Sequence, residues 1–356
     1  MENSPTHSLI ASNGVPRLES VSPRSALPGG EVRFRGKNLR PQELQHLELQ
    51  RPHVRFGEVA APVVIGSDEF VIAKVPEGAL SGPAVISTNG HASNPVNVQV
   101  SVPIAENLHP VTSPALDAEG NIYATFSGSR GEQVPVAVFK IDTSYNVRPF
   151  VTELMNATGI AFDRAGDMYV SSRQEGNVHR VTPTGAMSLF AEGMGVATGI
   201  AFDRDQNLFV GDRSGTIFKI APDRQIFVHA TLEPSVAAYH LAVGPSGDLF
   251  VSGPTTSSFD CIQRIDSHGA VSIYYRGLGR PQGLAFDADG NLYIAASLRG
   301  QRGIVKITPR LEASVEVSGL NLVGLAFAPG RSVVLATNDA VHRLSWDIAG
   351  FPLPPA

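Results

Sequence analysis

Cysteine is almost missing: Cys261 stands alone among 356 residues, which excludes an intramolecular disulfide and a cysteine zinc cluster. Charge is sparse as well, at 17% of residues, and no lysine or arginine run reaches three. With a formal net charge of -5 there is no basic footprint, so no nucleic-acid partner is expected. No stretch approaches about 18 apolar residues, so no membrane span is predicted. Residues 1–13 lack both the positive start and the apolar run of a signal peptide. As written, that predicts a cytoplasmic chain; an extracytoplasmic location requires a trimmed or misassigned start. The same residues are rich in Ser, Asn and Pro and are predicted to be disordered. None of the ten histidines has His-x-x-x-His spacing, and neither a Gly-x-Ser-x-Gly elbow nor a phosphate-binding Gly-x-x-x-x-Gly-Lys occurs.

What is present is repetition. The phrase Thr158-Gly159-Ile160-Ala161-Phe162-Asp163 returns as Thr198-Gly199-Ile200-Ala201-Phe202-Asp203 and as Gln282-Gly283-Leu284-Ala285-Phe286-Asp287. Weaker copies begin at Ser113, His240 and Gly324. Equivalent positions Pro114, Ile160, Ile200, Leu241, Leu284 and Leu325 lie roughly 40 to 46 residues apart, the period of one four-stranded propeller blade. Six copies predict six blades over residues 103–348. The last copy has only three strands before the Pro-rich tail, residues 349–356. A strand at Pro103-Ile104-Ala105-Glu106-Asn107-Leu108 is therefore expected to complete the last blade and close the ring.

Each phrase runs into a turn such as Asp163-Arg164-Ala165-Gly166-Asp167 or Asp287-Ala288-Asp289-Gly290-Asn291. The turn from Asp287 has the form of the start of a calcium loop, but the twelfth position, where a bidentate Glu belongs, is Leu298. Hairpin chemistry explains these turns instead: Asp accepts from nearby amides and Gly supplies a positive φ.

Residues 14–102 have a different texture, with short alternating runs such as Glu31-Val32-Arg33-Phe34-Arg35-Gly36 and Pro95-Val96-Asn97-Val98-Gln99-Val100, punctuated by Pro and Gly. About seven such runs predict a small β-sandwich. Val15-Pro16-Arg17-Leu18, Pro28-Gly29-Gly30-Glu31-Val32 and Val54-Arg55-Phe56-Gly57 resemble the IPT/TIG family of immunoglobulin-like domains, which implies spacing, docking or binding. The join at Val100-Ser101-Val102-Pro103 leaves almost no linker and predicts a fixed inter-domain angle. The fold class expected is all-β: an immunoglobulin-like sandwich followed by a six-bladed propeller.

Pro281-Gln282-Gly283-Leu284-Ala285-Phe286-Asp287 resembles the NHL repeat and the related six-bladed gluconolactonases and senescence marker protein. The NHL resemblance implies binding of proteins, RNA or glycans on a propeller face. The lactonase resemblance implies a divalent metal such as calcium that polarises a lactone carbonyl and activates water. Of the positions where that family holds its metal, Thr112 replaces the Glu, and Thr158, Thr198, Tyr239, Gln282 and Val323 replace the Asn. Only Asp212 matches a ligand position, and the NHL resemblance favours reading it as a structural loop residue of the repeat. One carboxylate does not make a hard-cation site.

Blade four departs most from the repeat, with Tyr239-His240 in place of Thr-Gly. The candidate ligand-binding residues are Arg173, Asp212, Arg213, Tyr239, His240 and Gln282. Arginine and tyrosine suit carboxylate or sugar recognition by forked hydrogen bonds and ring stacking. The alternative is that His240 merely fills space. The function expected is non-enzymatic binding or scaffolding, with a protein, glycan or small polar ligand as partner and no cofactor. The alternatives are a metal-dependent lactonase-like hydrolase with diverged ligands, or a lyase of the virginiamycin-inactivating type.

Overall fold

A computed structural model describes residues 14–41, 51–129, 131–255 and 260–352. The segment predicted to be disordered, 1–13, and the end of the Pro-rich tail lie outside the described residues. Every regular element among the described residues is a β-strand.

Blade two shows how the repeat folds. Ala157–Phe162, Met168–Ser172, Asn177–Val181 and Met187–Ala191 form a four-stranded antiparallel sheet in chain order. The turn between its first two strands is held by Asp163, whose Oδ1 accepts from the Ala165 and Asp167 amides, both at 2.9 Å. Gly166 sits at φ 86, and Gln206 takes the same left-handed conformation at φ 64 in the matching turn of blade three.

The same plan gives blade one from Ala115–Leu116 outward, blade three from Ala197–Phe202, blade four from His240–Val243 and blade five from Leu284–Phe286. In the last sheet Leu322–Ala328, Ser332–Thr337 and Ala340–Ser345 are joined by Val102–Glu106, which runs antiparallel to Ala340–Ser345. The first strands of successive sheets touch one another around a common axis, the last touching the first.

Aromatic residues weld neighbouring blades. Tyr123 packs edge-on against Phe162 at 5.1 Å, Tyr169 against Phe202 at 4.9 Å, Phe250 against Phe286 at 4.8 Å and Tyr293 against Phe327 at 5.3 Å. Each pair joins the second strand of one blade to the first strand of the next. Two junctions lack it, because blade four has Val243 and blade one has Leu116 where the other blades have phenylalanine.

A second regularity couples the turn to the third strand. In blades two and four the third strand carries arginine and the turn ends in an acid that pairs with it: Arg180 Nε lies 2.7 Å from Asp167 and Arg264 Nε 2.8 Å from Asp248; in the last blade Arg343 Nε meets Ser332 Oγ instead, at 3.4 Å. Where the third strand carries Lys140, Lys219 or Lys306, the turn ends in Asn121, Asn207 or Asn291, each donating its amide to the first Asp of its turn.

The front module has two sheets around one core that includes Val32, Phe34, Phe56, Val71, Ile86 and Val98. It is hydrogen-bonded into blade five. Ser25–Ala26 lies parallel to Val96–Val100 on one side and to Ala313–Ser318, the outer strand of blade five, on the other. Leu27 donates its amide to Ser318 O at 2.8 Å, and the Glu31 amide reaches Ser318 Oγ at 2.9 Å. The Leu27 side chain, 2% exposed, enters the propeller core beside Tyr293, Ile304 and Leu322. A continuous sheet and a buried anchor fix the joint more firmly than the short linker alone.

Candidate functional site

The first strands begin at one end of the ring, with Ser113, Gly159, Gly199, His240, Gly283 and Gly324 in equivalent positions. Backbone meets backbone there. A Cβ on Gly159 would come within 2.6 Å of Thr198 O, and one on Gly324 within 2.5 Å of Ser113 Cα. The Gly199 amide donates to Tyr239 O at 2.9 Å and the Gly283 amide to Val323 O at 3.0 Å, so neighbouring blades are stitched at this end. Glycine is required because a side chain has nowhere to go.

Blade four breaks the rule with an imidazole. His240 is 6% exposed, and its Nδ1 is buried with no hydrogen-bond partner among the described residues. Burial alone pulls its pKa down to about 4, so the ring is neutral near pH 7. An unpaired buried polar atom of this kind costs about 1–3 kcal/mol.

Three other predicted residues gather beside it. Tyr239 is 2% exposed, and its hydroxyl donates to the Glu233 carbonyl. Burial, with the charges of Glu233 and Asp212 adding to it, pushes the phenol up to about 12. Asp212 accepts from the Val196 amide at 2.7 Å and from the Ser214 hydroxyl. Arg213 donates to Val236 O at 2.9 Å, and its carbonyl accepts from the Ser235 amide at 2.9 Å. The loop that leads into blade four is thus held by blade three.

Arg173 lies apart from this group, whereas Gln282 is next to Ser252, the strand partner of His240. Arg173 reaches back to Gly128 O in blade one, at 2.9 Å. Gln282 donates its amide to Ala295 O at 2.9 Å, and its carbonyl accepts from Ser252 Oγ. Sequence reasoning missed the buried hydroxyls that tie blade to blade. Thr198 Oγ1 donates to Gly211 O at 2.8 Å and accepts from the Tyr239 amide at 3.2 Å, and Ser235 Oγ donates to Pro254 O at 2.8 Å. Small polar residues inside otherwise apolar strands were the available signal. Asn156, fully buried, likewise holds the loop of blade one through Gly128 O, Ser129 O and the Gly131 amide.

These residues do not fit a lactonase-type metal. Thr112 donates its hydroxyl to Thr158 O at 2.6 Å, and both carboxylate oxygens of Asp212 accept local donors. Among the described residues no group of three or more His, Cys, Asp or Glu side chains converges. A hard cation needs several protein oxygens free to face it. No helix among the described residues is long and apolar enough to cross a membrane.

No protein-family model matches the sequence, and no curated protein matches it. The fold does have solved counterparts. A gluconolactonase from Xanthomonas campestris is 13% identical, with a TM-score of 0.59, covering 69% of this chain and 89% of its own. An auxiliary nutrient binding protein from Bacteroides ovatus is 12% identical, with a TM-score of 0.54, covering 95% of this chain and 99% of its own. A streptogramin B lyase is 14% identical, with a TM-score of 0.50, covering 93% of each chain. At these identities the likeness shows the β-propeller fold alone, one that a hydrolase, a lyase and a binding protein share.

Proposed function

We propose that this chain is a non-enzymatic binding or scaffold protein that recognises a protein, glycan or small polar ligand on the propeller face where the inner strands begin. The observation that carries the reading is His240. It occupies a position that four of the other five blades fill with glycine, and its buried Nδ1 has no partner among the described residues. Burying an unpaired polar atom weakens a fold, and such features collect where a protein keeps a function. Asp212, Arg213 and Tyr239 lie around the same loop, and Arg173 and Gln282 extend the candidate surface to blades two and five. Recognition through these groups needs neither a metal nor another cofactor.

The front module, residues 14–102, fits this role as an IPT/TIG-like immunoglobulin sandwich that holds or extends the binding face. Residues 103–348 then form a six-bladed ring closed by the strand that follows the sandwich. Its bond to blade five supports a rigid two-part scaffold.

The test uses the full chain with a chelator present, screened on a glycan array and in pull-downs with defined protein baits. Saturable binding that survives chelation is expected. Metal-dependent hydrolysis across a lactone panel, with no saturable binding, would replace this reading with the hydrolase one.

A further inference from the structure

The opposite end of the ring carries a separate site. The six inner strands enclose a channel with a cavity of about 220 Å³, walled by Ile160, Ile200, Leu241, Leu284 and Leu325 near its middle. Phe162, Phe202, Phe286 and Phe327 follow toward the far mouth. Leu116 and Val243 line the same wall where the other four blades carry phenylalanine. Each inner strand has one edge without a partner strand, so backbone N–H and C=O groups interrupt the apolar wall.

A strap crosses the far mouth. Ala349 O accepts from the Ala288 amide at 2.9 Å, and the Phe351 amide donates to Phe286 O at 2.8 Å. Gly350 lies against Phe327 with no room for a Cβ. Phe351 and Pro352 line the cavity, and the Arg204 guanidinium of blade three sits 5.3 Å above the Phe351 ring. At the other end the stitched ring of Ser113, Gly283 and Gly324 narrows the channel. Phe351 and Pro352 bound the cavity at the far mouth, and neither Tyr239 nor His240 is among its lining residues.

We propose that this channel is a binding site for one small uncharged molecule, mainly apolar and aromatic, with one or two polar atoms, and that the 349–352 strap is its gate. Three features set that class. Size is the first: scaling from a roughly 150 Å³ cavity that takes benzene, the space holds about nine non-hydrogen atoms. The aliphatic and phenylalanine wall sets polarity, and the exposed strand edges supply the few hydrogen bonds that orient a ligand. Among the described residues Arg204 is the one ionised side chain in the wall, at the mouth beside Phe351, so a charged ligand would lose its solvation without a counter-charge inside. The competing occupant is a file of about seven waters at roughly 30 Å³ each.

Indole is the probe, titrated into the full chain and followed by methyl NMR of Ile160, Ile200 and Leu241. Saturable shifts are expected in the wild type, with faster exchange in Phe351→Ala. Shifts seen only in Phe351→Ala would also support the site, with the strap as a tight barrier. Val243→Phe and Leu116→Phe each install the residue that four other blades already carry, so both should fold. Each should weaken indole binding by about tenfold or more, as steric filling of an apolar pocket does. A Tyr239→Ala/His240→Ala variant should bind indole as the wild type does, which separates this site from the proposed face. No saturable shift in either wild type or Phe351→Ala overturns the proposal, as does binding that neither filling variant weakens.

Discussion

Blades three and four share one plan, and their inner strands diverge most at the Thr-Gly pair that blade four replaces with Tyr239-His240. Ala197–Phe202 reads Ala-Thr-Gly-Ile-Ala-Phe, as does the first strand of blade two, and both have the same burial pattern. Blade four opens with Tyr239-His240-Leu241-Ala242-Val243. In blade three the glycine leaves space for the Tyr239 carbonyl of its neighbour. In blade four a buried, neutral imidazole takes the corresponding place. The contrast separates ring closure, which rests on the repeat, from the proposed recognition, which is argued from an exception to it.

The sharpest way to break this comparison is to put a side chain on the blade that cannot take one. Gly199→Val drives a Cβ into the Tyr239 carbonyl, and overpacking there should destabilise the fold by about 3 kcal/mol or more. Chemical denaturation measures it. A loss under about 1 kcal/mol would mean that the ring is looser than described.

Acid should reveal the exception next. The His240 pKa falls from an ordinary 6.5 to about 4 on folding, so between those values the unfolded chain binds a proton that the folded chain refuses. The contribution is intact above about pH 6.5 and fades as pH drops, by up to about 3 kcal/mol near pH 4. His240→Gly restores the repeat, and it should flatten stability against pH across that window. An unchanged acid limb would mean that other groups set it; His229 and His342, whose pKa values burial also lowers, are the next to test.

The smallest effect concerns the turns. Blade four pairs Arg264 with Asp248, whereas blade three has Lys219 and Asn207. Asp248→Asn alone should destabilise by about 1 kcal/mol or less, since the arginine is half-exposed. Adding Arg264→Lys does not reproduce the neighbour, because the turn begins with Gly244 where blade three has Asp203 to accept from the asparagine amide, so it should recover less than half of that loss. Full recovery would show that the asparagine needs no carboxylate partner.

The propeller was legible because four of the six inner strands repeat an aliphatic–alanine–phenylalanine core, most of them followed by a turn opened by Asp. Blade four announced itself by losing Thr-Gly. Other features left no periodic trace. The bridge of Ser25–Ala26 to blade five is two residues long and made by backbone, so no side-chain pattern encodes it. Leu27 has the character of any apolar residue before a Pro-Gly turn. The Pro-rich stretch from 349 read as a tail, and Phe351 acquires meaning only from the channel beneath it. Of the six candidate site residues, the four on blades three and four stand together. Arg173 diverges toward blade one because side-chain reach and direction, unlike strand position, are set by neighbours distant in sequence.

The most direct test of the central claim is the affinity of a ligand found by array or pull-down, compared between wild type and Tyr239→Ala/His240→Ala. With a folded variant, the account predicts a loss of about tenfold or more, the scale of removing a recognition hot spot. Unchanged affinity in a folded double variant would contradict it and leave His240 as a space-filler.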